Sequence, residues 1–180
     1  MNKVGIFFGT DTGTTRRIAK TIARSLGSQI ASNPVNIRNA ETSDLLNYDV
    51  LILGTPTYGD GELPGKSTGN MTDSWEEFLP RLKGADFSRR KVALYGLGDQ
   101  NKYTGNFASA LRYLYDAFTE SGAEIIGHWN IIGNDYHFKQ SRAAIGEQFV
   151  GLVLDDENQR ELTQHRLDTW LAMLAPAWSE

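Results

Sequence analysis

Apolar and polar positions fall in blocks along this chain. Nearly continuous apolar runs occupy Val4 to Phe8, Val50 to Leu53, Lys91 to Tyr95, Ile125 to Ile131 and Phe149 to Leu154, with a weaker one at Val35 to Ile37. Runs without alternation suit parallel strands covered on both faces. Between them the apolar residues recur at helical spacing. Ile18, Ala19, Ile22, Ala23 and Leu26 form one stripe; Trp75, Phe78, Leu79 and Leu82 form a second. Phe107, Leu111, Leu114 and Phe118 form a third, and Leu167, Trp170, Leu171 and Leu174 a last one, which Pro176 ends. Strands alternating with helices predict an α/β fold with a doubly wound parallel sheet. In such sheets ligands sit beyond the carboxyl ends of the strands, at the switch point.

Two stretches break the pattern. About twenty mostly polar residues separate the Ile125 run from the Phe149 run and include Gly133-Asn134-Asp135-Tyr136-His137. That is too short for a crossover with its own helix, so it reads as an excursion within one strand that resumes at Phe149. Pro64 to Thr72, with Gly65, Ser67, Thr68, Gly69 and Asn70, reads as an exposed loop before the Trp75 helix.

The chain has 180 residues, enough for a full hydrophobic core, and reads as a single domain over 1–180. A net charge of −4 argues against a nucleic-acid footprint. The absence of cysteine excludes disulfides, Fe–S clusters and thiolate zinc sites. His128, His137 and His165 share no ligand motif. No charged-then-apolar leader opens the chain, and Val4 to Phe8 is too short to span a membrane, so a cytoplasmic protein is expected.

Candidate chemistry lies in three loops. Thr10-Asp11-Thr12-Gly13-Thr14-Thr15 stands where the first strand turns into a helix. Unpaired N–H groups and the helix dipole favour an anion there, and threonine hydroxyls can add bonds to phosphate oxygens. The loop lacks the Gly-Lys-Ser/Thr ending of a Walker loop; its other reading is a simple helix cap at Thr10 or Thr12. The Val50 strand continues as Gly54-Thr55-Pro56-Thr57-Tyr58-Gly59-Asp60-Gly61-Glu62-Leu63, with Gly59 and Gly61 suited to positive φ. The Lys91 strand ends as Gly96-Leu97-Gly98-Asp99-Gln100-Asn101-Lys102-Tyr103. A phosphate cradle and two aromatics at one sheet edge fit a planar ring tethered to a phosphate.

These three loops, in this order, resemble those of the flavodoxins, and the excursion before Phe149 resembles the insertion of their long-chain branch. The resemblance covers essentially the whole chain. It implies a five-stranded sheet in the order 2-1-3-4-5, its last strand interrupted by the insertion, and one non-covalent FMN. Thr10, Asp11, Thr12, Gly13, Thr14 and Thr15 would hold the phosphate. Thr55, Pro56, Thr57, Tyr58, Gly59, Asp60 and Gly61 would form the loop on one face of the ring. Gly96, Leu97, Gly98, Asp99 and Tyr103 would form the other, with Tyr103 stacked on it. The Gly59–Asp60 peptide would turn its carbonyl toward a protonated ring nitrogen, and glycine makes that peptide easy to rotate. Tyr58 stands where many relatives carry tryptophan.

Asp60, Glu62 and Asp99 would crowd the mouth, with no arginine or lysine of the motifs as an obvious counter-ion. One carboxylate about 8 Å from a reduced flavin anion costs roughly 2 kcal/mol at an effective dielectric near 20, which is about 90 mV for one electron. The resemblance thus implies a monomeric low-potential one-electron carrier rather than an enzyme. It would work between a reductase and an acceptor protein, and an acidic docking face would attract basic partners. The Pro64 to Met71 stretch resembles an extension of flavodoxins that feed nitrogenase, making nitrogenase reductase a candidate acceptor. Two other readings remain open. An FMN-dependent NAD(P)H:quinone reductase on the same fold would need a second pocket over the flavin. A signalling receiver domain would need an acid cluster where this chain has threonines.

Overall fold

The structure, a computed structural model, describes residues 3–9 and 13–179. Along them run β1 (Gly5–Phe8), α1 (Thr14–Leu26), β2 (Val35–Asn36), α2 (Thr42–Leu45), β3 (Val50–Thr55), α3 (Trp75–Phe78), β4 (Lys91–Leu97), α4 (Leu111–Glu120), β5 (Glu124–Ile126), β6 (Trp129–Asn130), β7 (Ala144–Ile145), β8 (Gln148–Phe149), β9 (Leu152–Leu154) and α5 (Arg160–Leu174). The main sheet is parallel, in the expected order β2-β1-β3-β4-β5. All six residues of β3 are buried, which is why its sequence lacks alternation.

The fifth strand is split, as the sequence pattern suggested. Lys91 to Ala93 of β4 pair with β5, and Tyr95 to Leu97 pair with β9, both in parallel. The chain leaves at Gly127 and returns at Leu152. Between them β6, β8 and β7 form a separate antiparallel sheet. The re-entry point differs from the expected Phe149. That residue belongs to β8, facing Trp129 and Ala144, and its ring meets Phe107, Tyr136 and Phe138. One apolar run thus serves two sheets, and apolarity does not mark the bend between them.

Two helical stripes are shorter than their periodicity suggests. The Trp75 stripe is one α-turn continued by a 3₁₀ turn over Leu79–Leu82, because Pro80 has no N–H for the α-ladder. Phe107 lies in the turns before α4 yet is fully buried. Pro64 to Thr72 is less exposed than expected: Pro64, Gly65 and Asn70 are buried around a 3₁₀ turn at Lys66–Thr68, while Met71 and Thr72 are exposed.

One internal tie matters for the site. Tyr95 of β4 is fully buried and lies over Gly54 of β3, where a Cβ would sit 2.0 Å from the ring. Only glycine leaves room. The tyrosine hydroxyl crosses the sheet edge and donates to the Thr15 carbonyl at 2.9 Å, fixing the start of α1 against β4. Burial pushes this phenol far above its ordinary pKa, so it stays a neutral donor.

Candidate functional site

The carboxyl ends of β1, β3, β4 and β9 open on one edge, where the doubly wound sheet reverses direction. A cleft of about 480 Å³ lies there, lined by Thr14 and Thr15 of α1, Pro56 and Thr57 after β3, and Leu97, Gly98, Asp99, Lys102 and Tyr103 at and after the end of β4. Asp156 and Glu157, after β9, close it. This volume falls within the range of roughly 300–1,000 Å³ usual for small-molecule sites.

Much of the sequence-derived set converges on this cleft. Thr14, Thr15, Pro56, Thr57, Leu97, Gly98, Asp99 and Tyr103 line it. Thr10, Asp11 and Thr12 lie outside the described residues, and Gly13 stands at the N-terminus of α1. Thr55 is fully buried, its hydroxyl turned to the Pro56 carbonyl at 2.9 Å, and Gly96 lies within β4 against Leu111. Those two support the lining without forming it. Tyr58, Gly59, Asp60 and Gly61 make a tight turn beside the cleft rather than part of its lining. Tyr58 donates its N–H to the Glu62 carbonyl at 2.9 Å and accepts from the Glu62 N–H at 2.7 Å. Tyr58 is half-buried, while Gly59 and Asp60 are exposed.

Among the described residues of the lining, one buried polar side-chain atom has no hydrogen-bond partner. Thr15 is 1% exposed, and its Oγ1 has no hydrogen-bond partner among the described residues. Buried hydroxyls are normally paired, because desolvation without a partner costs about 1–3 kcal/mol. A donor in the first turn of α1, where helix amides and the dipole favour negative charge, fits a phosphate or similar anion. On the other side Tyr103, 40% exposed, offers a ring face with the Lys102 ammonium 5.4 Å from its centroid. A phosphate at one end and a planar ring at the other therefore suit the residues present.

The acids divide into structural and exposed ones. Burial pushes the Asp99 carboxyl up, but hydrogen bonds from the Lys102 N–H (2.9 Å), the Asn158 side chain (2.8 Å) and the Asn101 N–H (3.1 Å), with the Lys102 charge, outweigh it; Asp99 titrates below the usual carboxylate range. Asp156 is 8% exposed and pairs with Arg17 at 2.5 Å and Arg160 at 3.5 Å. The expectation that no arginine or lysine of the motifs is a counter-ion is corrected by Lys102, whose charge acts on Asp99. Arg142, carried in by the excursion, lies 3.7 Å from Glu62, and Lys102 stands in the lining.

Sequence reasoning missed the loop after β9. Asp155 is fully buried and accepts from the Gln100 N–H (3.1 Å), the Gln100 side chain (2.9 Å) and the Asn158 N–H (3.0 Å). It thereby holds the Gly98–Tyr103 loop to the end of β9. The signal was available: Asp155-Asp156-Glu157-Asn158 directly follows an apolar run at the ligand-binding edge.

A family model described as flavodoxin matches residues 6–170. The chain is 50% identical over 178 residues to a flavodoxin of Enterobacter agglomerans, covering 98% of this chain and 99% of that protein. It is also 50% identical over 171 residues to a flavodoxin of Klebsiella pneumoniae, covering 95% and 96%. Among solved structures, the flavodoxin of Fusobacterium nucleatum bound to flavin mononucleotide superposes with a TM-score of 0.87 at 32% identity, over 99% of this chain and all of that one. With its sheet order, its split fifth strand and the position of its cleft, the chain belongs to the flavodoxin family.

Proposed function

We propose that the cleft holds one non-covalent FMN and that the protein is a low-potential one-electron carrier. The observation that carries this reading is the buried, unpartnered Thr15 hydroxyl at the start of α1, across a cleft from the exposed face of Tyr103. Thr14 and Thr15, with the loop 10–13 before them, would bind the phosphate. Pro56 and Thr57 would line one face of the ring site and Leu97 to Asp99 the other, with Tyr103 as the stacking surface. When bound, FMN supplies reversible one-electron chemistry at its ring.

The chain's own residues set how reducing that ring is. Asp99, held ionised by Lys102, Asn158 and Asn101, and Glu157 disfavour added negative charge in the cleft. The ring of Tyr103 excludes water that would otherwise solvate such charge. Tyr95 fixes α1 to β4, keeping the phosphate end in register with the stacking end.

We further infer that residues 1–180 act as one FMN-binding domain, monomeric and cytoplasmic, between a reductase and an acceptor protein, with nitrogenase reductase as a candidate acceptor. The last point rests on the Pro64 to Met71 stretch, where Met71 is 91% exposed. Exposed acids at the mouth would steer basic partners, so transfer rates should fall as the Debye length shortens from about 30 Å at 0.01 M salt to about 10 Å at 0.1 M. Fluorescence titration tests the site itself. FMN should bind one to one and far more tightly than riboflavin, which lacks the phosphate. Equal affinities would overturn the phosphate assignment.

A further inference from the structure

The excursion that interrupts the fifth strand braces both loops of the site. On one side the His137 N–H donates to Gln100 Oε1 at 2.6 Å, and the Lys139 and Gln140 N–H groups donate to the Thr104 carbonyl at 2.9 and 3.0 Å. On the other side Arg142 reaches the 58–62 turn. Its Nη2 donates to the Asp60 carbonyl at 2.9 Å and to the Gly61 carbonyl at 3.3 Å, and lies 3.7 Å from Glu62 Oε1. The same guanidinium lies 5.6 Å from the centroid of the Tyr113 ring, and the Tyr113 hydroxyl donates to Glu62 Oε2 at 3.0 Å.

The arginine is itself fixed at its backbone. Its N–H donates to Ser109 Oγ at 3.0 Å, and its carbonyl accepts from Arg112 at 3.2 Å. The turn is shaped to receive it. Gly61 has φ +92°, and a Cβ there would stand 2.5 Å from Arg142 Nη2 and 3.0 Å from the Ser109 Cβ, so a side chain would displace the guanidinium. The Gly59–Asp60 peptide, in contrast, makes no hydrogen bond among the described residues. Gly59 has φ +50°.

We infer that Arg142 is the positioning residue of the 58–62 turn: it clamps the Asp60 and Gly61 carbonyls and leaves the Gly59–Asp60 peptide as the one unit free to rotate. The clamp is charge-assisted: Nη2 donates to both carbonyls while Nη1 donates to the Tyr113 hydroxyl at 3.4 Å, and a point cation cannot span both places. With its far end fixed, the turn can present the Gly59 carbonyl to a ring N–H without ordering the whole segment, so less conformational entropy is lost. The excursion thereby acts on the electron-carrying site from outside it. The redox part of this inference rests on the carrier reading; the clamp itself does not.

The test uses Arg142→Ala and Arg142→Lys in the full-length protein, with two readouts. Amide hydrogen exchange is measured on the flavin-free protein. Both variants should exchange the Gly61 and Glu62 amides about tenfold faster or more, while the amides of Ala93 and Leu94 in β4 keep their protection. The two one-electron potentials of bound FMN are then measured at high salt, where the lost charge is screened. In both variants the gap between them should narrow. Unchanged exchange at Gly61 and Glu62 would overturn the clamp, as would a lysine variant indistinguishable from wild type. Faster exchange with an unchanged gap would overturn the coupling to the flavin. A wild-type protein that binds no FMN would instead overturn the carrier reading, with the exchange result standing by itself.

Discussion

Replacing Thr15 by valine should move two measurable quantities in opposite directions. The Thr15 hydroxyl is buried at 1% exposure with no protein partner among the described residues. An unsatisfied buried polar group costs about 1–3 kcal/mol. Valine keeps the β-branch and nearly the volume, and the hydrogen bond that Tyr95 donates to residue 15 uses the backbone carbonyl, which the substitution leaves in place. The flavin-free variant should therefore be more stable by about 1 kcal/mol, or about 2–4 °C in Tm for a domain of this size. With FMN the sign reverses. The lost hydroxyl is a donor to a charged phosphate, worth about 1.5–3 kcal/mol, so affinity should fall about ten- to a hundredfold. Riboflavin affinity should hardly change. Thermal unfolding of the flavin-free protein and fluorescence titration with both flavins give the three numbers. A variant that is less stable without flavin, or that loses FMN and riboflavin affinity equally, would refute the reasoning.

Tyr103→Ala removes the exposed stacking face and should both weaken FMN binding and raise the second one-electron potential, measured by dye equilibration, because water then reaches the reduced ring. Asp155→Ala leaves the Gln100 and Asn158 donors without their buried acceptor; urea unfolding should show a loss of about 2–4 kcal/mol, with weaker FMN binding as the Gly98–Tyr103 loop loosens. Stability should also fall in alkali. Burial raises the Tyr95 and Tyr136 phenols in the folded protein, so the stabilisation is complete below the unfolded tyrosine pKa of about 10 and declines above it, by up to about 1.4 kcal/mol per pH unit for each group. Urea midpoints from pH 8 to 11 should show that slope, and Tyr95→Phe should remove one share of it.

Much of this architecture was legible because each signal was local. The β3 run reads as a buried parallel strand since every side chain on both faces is covered, and glycine marks the loops after β3 and β4. The polar excursion was visible as an interruption. Its exact re-entry was not, since Phe149 and Leu152 are equally apolar and differ only in which sheet they serve. The four-residue α2 is too short to show a period. Arg142 was invisible for another reason: its partner Asp60 is 82 residues away in sequence, and a lone arginine in a polar stretch carries no pattern. Tyr58, conspicuous on its turn, is half-buried and joined to Glu62 by two backbone hydrogen bonds, a turn geometry that residue type does not reveal.

Stepwise reduction of the FMN-loaded protein tests the central claim most directly. With potential and absorbance recorded together, the account predicts two separate one-electron steps, the second well below that of free FMN, because ionised Asp99 and the water-excluding Tyr103 face oppose the added charge. A single two-electron step at the potential of free FMN would contradict it.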